Sequence, residues 1–246
     1  MRLRAPRGPG GSRWPVWVEV AVLVLLALVV AILVKAFLVQ AYVIPSGSMQ
    51  PTLRVGDRVL VDKVSLHVRD PRRGEVVVFD GVDSFVPEAA ARRASGLRAL
   101  ADDLLDLVGL GPPGEHDFIK RVIGVAGDRV RCCDPDGRVT VNGTALDETS
   151  YLFPGNRPST MSFDVVVPPG RLWVMGDHRA QSQDSRAHLG DPGGGMVPVD
   201  RVLGRAVAVV WPPPHWAGLG TPPAFALGAI FVPFVRGGDL RRTVRW

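Results

Sequence analysis

The chain has 246 residues, enough for one domain of ordinary size plus extra segments, with a net charge of +5 and a pI near 9.8. Its basic residues form no single block, which argues against a nucleic-acid footprint. Arg2, Arg4, Arg7 and Arg13 instead precede a long apolar stretch and Arg241, Arg242 and Arg245 close the chain, as the positive-inside rule expects beside membrane segments.

Residues 1–15 read as a basic cytoplasmic N-terminus and 16–39 as a transmembrane signal-anchor helix. Val20 to Val34 is an uninterrupted run of Val, Ala, Leu and Ile, and the charges of the longer stretch, Glu19 and Lys35, sit near its ends. A cleaved signal peptide is the rival reading, but no Ala-x-Ala-like site directly follows the run. Residues 40–211 then break into short apolar runs punctuated by Gly, Pro and Asp, the pattern of a mainly β domain. Strands are expected at 58–64, 75–79, 118–125, 130–133, 138–141, 165–167, 171–175 and 202–211. Asp134-Pro135-Asp136-Gly137 marks a hairpin. Residues 81–114 differ: Leu97, Leu100, Leu104, Leu105 and Val108 recur at helical spacing, so a helical insertion is expected there. The adjacent cysteines, Cys132 and Cys133, lack zinc-site spacing and read as two separate thiols on opposite faces of a strand, with an oxidised adjacent pair the open alternative. The tail, 212–246, holds an apolar patch at 224–235 that is short for a span. It reads as membrane-apposed or buried, with a second membrane segment the open alternative.

Only three of the 29 basic residues are lysines: Lys35, Lys63 and Lys120. Arginine stays charged in a protein, whereas a buried lysine can become a neutral amine and act as a base. Lys120 lies in the apolar run Phe118-Ile119-Lys120-Arg121-Val122-Ile123, and period-two alternation puts it on one face with Phe118 and Val122. Such surroundings lower a lysine pKa. On this feature alone the bland reading, codon bias with a snorkelling side chain, is the favoured one, and a base needs a nucleophile to go with it. Lys63 is the competing base, but the preceding Asp62 would hold it charged if the two pair. A nucleophile is available in Pro45-Ser46-Gly47-Ser48-Met49-Gln50-Pro51, where two serines flank a glycine between prolines. A third polar patch, Met175 to Arg186, follows an apolar strand. His178 within it reads as a loop hydrogen-bonder rather than a base. The sequence contains neither a Gly-x-Ser-x-Gly elbow nor a His-Glu-x-x-His zinc motif.

In this order the stretches 44–53, 56–63, 73–79, 118–130 and 175–186 resemble the bacterial type I signal peptidases, membrane-bound proteases with a Ser-Lys dyad. Arginine richness and the insertion look like an actinobacterial member. The resemblance implies a signal-peptidase-type β domain on an N-terminal transmembrane helix, in the bacterial cell membrane, with the catalytic domain outside. It implies Ser48 as nucleophile, Lys120 as general base, Ser46 with the Ser48 N–H as oxyanion hole, and Ser182 orienting the amine. Arg121, Asp184 and Arg186 would brace the site with ion pairs. Val43, Ile44, Asp117 and Ile119 are candidates for the edge on which an extended peptide adds as a strand. The implied partners are signal peptides of secretory preproteins, cut after small residues at −3 and −1, and the lipid bilayer near the secretion translocon. No cofactor, metal or nucleic acid is implied. His178, Ala180 and Gln181 stand where the family pattern has Asn, Asp and Asn. The alternative function is a non-catalytic, membrane-anchored β-domain envelope protein.

Overall fold

The structure is a computed structural model and describes residues 15–37, 39–87, 116–191 and 193–226. Helix α1 (Val16–Phe37, 22 residues) leads directly into strand β1 (Val39–Val43). Side chains of α1 are described for residues 16–30, and its valines and leucines there are largely exposed. Among the described residues no helix is long and apolar enough to cross a membrane.

Beyond α1 the chain is mainly β. The strands that follow are β2 (Arg58–Asp62), β3 (Val76–Asp80), β4 (Asp117–Gly124), β5 (Arg129–Cys132), β6 (Val139–Val141), β7 (Thr144–Ala145), β8 (Phe163–Val166), β9 (Arg171–Met175), β10 (Val197–Pro198), β11 (Val202–Trp211) and β12 (Ala217–Gly218). Counting β1, eight of these strands form an antiparallel sheet in the order β1-β2-β11-β3-β4-β9-β10, with β12 on β11, and the other four form a smaller sheet ordered β7-β6-β5-β8. In the smaller sheet the short connections from β5 to β6 and from β6 to β7 suit antiparallel pairing, since hairpins need only a few residues.

The two central strands explain where the site lies. In β3, Val76, Val77, Val78 and Phe79 are all buried, because both faces of the strand are covered. In β4 everything from Ile119 to Gly124 is buried, including Lys120 and Arg121. Alternate residues of β4 go to different apolar clusters. Phe118 and Val122 pack with Val77, the register partner of Lys120, whereas Ile119 packs with Met49, Leu53 and Val78. The period of two expected from sequence is therefore the one that sorts the core.

Three expectations are corrected or fall outside. Cys132 and Cys133 are joined in a disulfide rather than being two separate thiols. Residues 81–86 form a tight turn closed by a Val82–Val86 bridge, not the start of a helix; the Gly81 carbonyl collects the amides of Ser84, Phe85 and Val86. Residues 88–115, the rest of the expected insertion, lie outside the described residues, as does the tail from 227 onwards. The described part of the tail forms a 3-10 turn, η4 (Pro213–His215), then β12 and a short helix, α2 (Pro223–Ala226).

Candidate active site

Ser48 sits in η1 (Gly47–Met49), a single 3-10 turn between Pro45 and Pro51. Two anchors fix that turn. The Met49 side chain is fully buried under β3 and β4, and the Ser48 carbonyl accepts the amide N–H of His178 at 3.0 Å. Ser48 is thereby held against the loop that follows β9. The glycine at 176 is what allows the close approach: a Cβ there would collide with the Ser182 side chain and the Ser48 carbonyl.

Lys120 meets Ser48 from β4. Its Nζ lies 3.0 Å from Ser48 Oγ and 3.0 Å from its neighbour's carbonyl, Ile119 O. The side chain is 4% exposed, and among the described residues no carboxylate pairs with it. Desolvation lowers its pKa from 10.5 to about 8, against the opposing pull of the Asp184 and then the Asp177 charges. An amine with that pKa is substantially neutral at mildly alkaline pH, and a neutral amine accepts the proton of a serine hydroxyl. Lys63 lies just past β2, half-buried, and the amine at Ser48 is that of Lys120. Ser46 is exposed, with Oγ 3.3 Å from Ser48 Oγ.

Three buried arginines surround this pair, each held by a carboxylate. Arg121 donates through Nε and Nη2 to Asp177 at 2.8 and 2.6 Å, and through Nη1 to the Gly74 carbonyl at 2.8 Å. The Thr52 hydroxyl also bonds Asp177, and the Tyr151 ring covers the guanidinium at 4.5 Å. Arg186 grips Asp184 with two bonds of 2.8 Å, and the Gly176 amide adds a third at 3.0 Å. Burial works against ionisation of Asp184, but the Arg186 guanidinium and that amide hold its carboxyl below the usual range. Arg179 pairs with Glu148, which Tyr151 also contacts at 2.8 Å. Such pairs fix the loop; removing one partner would strand a buried charge.

Sequence reasoning named Arg121, Asp184 and Arg186 as the brace. All three are buried in ion pairs, but the partner of Arg121 is Asp177, which went unnamed along with Thr52, Glu148 and Arg179. Asp177 adjoins Gly176 in the polar patch, and its partner is 56 residues away, so no local pattern announces the pair. Ser182 lies beside Gly176, but it makes no bond to Lys120, and its Oγ is buried without a hydrogen-bond partner among the described residues. It stands near enough to Asp184 to help keep that carboxyl charged, yet outside good hydrogen-bond geometry. The His178 ring stacks on Phe153 at 3.9 Å and its Nδ1 is buried and unbonded; only its backbone supports Ser48.

Of the four expected edge residues, Val43 is 52% exposed at the end of the edge strand β1. Ile44 is buried, and both its backbone groups are bonded to the turn at Gly56 and Asp57. It therefore offers neither side chain nor backbone to an added strand. Asp117 and Ile119 fall on the half of β4 that β9 leaves uncovered, since β9 pairs only with Arg121, Val122 and Gly124. Among the described residues no strand borders that edge on the β9 side.

The family model for "Signal peptidase, peptidase S26" matches residues 17–211. A probable signal peptidase I of Mycobacterium leprae (strain TN) is 40% identical over 238 residues, covering 85% of this chain and 81% of the relative. Signal peptidase I of Mycobacterium tuberculosis (strain ATCC 25618 / H37Rv) is 41% identical over 218 residues, covering 80% and 74%. A probable signal peptidase I-2 of Synechocystis sp. (strain ATCC 27184 / PCC 6803 / Kazusa) is 36% identical over 200 residues, covering 81% and 75%. The mycobacterial relatives agree with the actinobacterial character expected from sequence. With its match running through every segment that builds the Ser48–Lys120 pair, the chain belongs to the signal peptidase, peptidase S26, family of serine peptidases.

Proposed function

We propose that this chain removes signal peptides from exported preproteins after small residues at −3 and −1, as a membrane-anchored endopeptidase with Ser48 as nucleophile and neutral Lys120 as general base. One observation carries the reading: a buried lysine amine, unpaired with any described carboxylate, 3.0 Å from a serine hydroxyl. Lys120 takes the Ser48 proton as Oγ attacks the scissile carbonyl. The Ser46 hydroxyl turns from Ser48 to the developing oxyanion, joined by the Ser48 N–H. The lysine proton then passes to the leaving amine, and the acyl group stays on Ser48. Water, deprotonated by the same amine, releases it. The arginine–carboxylate pairs position this machinery and take no proton.

The half-exposed Val43 and the uncovered edge of β4 at 117–119 support binding of the substrate as an extended strand. Helix α1 supports the anchor: apart from half-buried Val18, the valines and leucines from Val16 to Val30 are 44–74% exposed, an apolar surface that water does not favour. With arginines before it, the N-terminus lies in the cytoplasm and the β domain outside, near the secretion translocon.

The test is cleavage of an Ala-x-Ala signal-peptide substrate by detergent-solubilised protein with chelator present. Wild type cuts at one site, while Ser48→Ala and Lys120→Arg lose at least about 10⁴-fold in rate. Retained cleavage by Lys120→Arg, which keeps the charge but cannot become neutral, would sink the proposal.

A further inference from the structure

The loop that carries Ser46 and Ser48 is closed at its base by Asp57. This residue is 2% exposed, and all its polar groups are engaged. Its carbonyl accepts the Ile44 amide at 2.9 Å, and its own amide donates to Arg54 O at 3.0 Å. Its Oδ2 accepts the Arg54 amide at 2.8 Å. These bonds join the two ends of the loop, Ile44 on one side and Arg54 on the other. The last acceptor, Oδ1, lies 2.8 Å from His215 Nδ1.

His215 belongs to η4, beyond residue 211, where the family match ends. Its other nitrogen, Nε2, lies 2.8 Å from Arg54 Nη1. A guanidinium only donates, so Nε2 accepts. The proton is therefore on Nδ1 and is donated to Asp57. The Arg54 contact is at the surface and contributes little energy by itself; its consequence is the choice of tautomer. Without the imidazole, a buried carboxylate oxygen loses its donor, and an unsatisfied buried charge reorganises what surrounds it.

We infer that His215 is a positioning residue for the nucleophile loop. Acting through Asp57, it fixes Ile44 and Arg54 and so sets where Ser46 and Ser48 project. The inference rests on the assignment of Ser48 as nucleophile. It adds to the site a residue supplied by the tail, which touches neither substrate nor reacting atoms.

The experiment compares wild type, Ser48→Ala, His215→Ala and His215→Asn by steady-state cleavage at pH 9, with thermal melts of each. An asparagine Nδ2 stands where Nδ1 stood and can donate to Asp57, although it does not restore the Arg54 contact. The expected result is a kcat about tenfold lower in His215→Ala, with KM within about twofold of wild type. This follows from the steep dependence of rate on nucleophile placement. His215→Asn recovers most of kcat, and both variants melt within a few degrees of wild type. Wild-type kcat in His215→Ala, or equal loss in the two variants, or failure of both to fold, would overturn the inference. Cleavage by Ser48→Ala would remove the reading beneath it. An inactive Ser48→Ala with an unimpaired His215→Ala leaves that reading intact and defeats the inference alone.

Discussion

Lys120 and Arg121 are neighbours on β4, buried to nearly the same degree at 4% and 2% exposure, yet their surroundings are opposite in kind. On the Arg121 side the cation meets a carboxylate in two-pronged geometry, a carbonyl and an aromatic face. On the Lys120 side the cation meets one hydroxyl and one carbonyl. A guanidinium cannot shed its charge, so burying it requires a partner. An amine can, and burial without a partner is what lowers its pKa to about 8. The same depth in the fold thus yields a fully paired cation on one face of the strand and an amine of lowered pKa, the base of the proposed mechanism, on the other.

The comparison can be broken first at Arg121. Arg121→Ala leaves Asp177 charged and buried, so chemical denaturation should show a loss of about 3–5 kcal/mol. A loss below about 1 kcal/mol would mean that the pair is ornamental. Lys120→Met should act in the other direction. The folded pKa of about 8 lies below the unfolded 10.5, so the unfolded chain holds the proton more tightly. The penalty for burying Lys120 is complete below pH 8, shrinks between pH 8 and 10.5, and is absent above. At 1.36 kcal/mol per pKa unit that penalty is about 3 kcal/mol, offset by about 1 kcal/mol of lost hydrogen bonding. The methionine variant should therefore be about 2 kcal/mol more stable than wild type at pH 7, with the gain gone by pH 10.5. A gain that does not vary with pH would point to packing instead. The smallest effect is expected at Ser182. Because Ser182 makes no bond to Lys120, Ser182→Ala should change kcat/KM by less than about threefold. The acid limb of the pH profile should stay in place. A shift of that limb would restore Ser182 as the residue that orients the amine.

Much of this was legible in the sequence, for reasons that differ by region. The runs at β4, β9 and β11 are apolar and bounded by Gly, Pro or Asp, so both their existence and their ends could be read. Strand β1 was not read as a strand, because Val39–Val43 continues the apolar run of α1 without punctuation. The scarcity of lysine and the apolar run around Lys120 mark it as a candidate, but only the resemblance to the signal peptidases pairs it with Ser48. The pairing of Arg121 with Asp177 and of Arg179 with Glu148 could not be anticipated. Both join positions that only the completed sheet brings together. His215 was hidden for the same reason: nothing near it in the tail refers to Asp57, 158 residues earlier.

The most direct measurement uses the scarcity of lysine. Labelling lysine side chains with carbon-13 at Cε gives signals from Lys35, Lys63 and Lys120 alone. In a pH titration of detergent-solubilised protein followed by NMR, one of these should titrate near pH 8, and that signal should vanish in Lys120→Met. Titration of all three above pH 10 would show that Lys120 stays charged at working pH, and would contradict its role as the base.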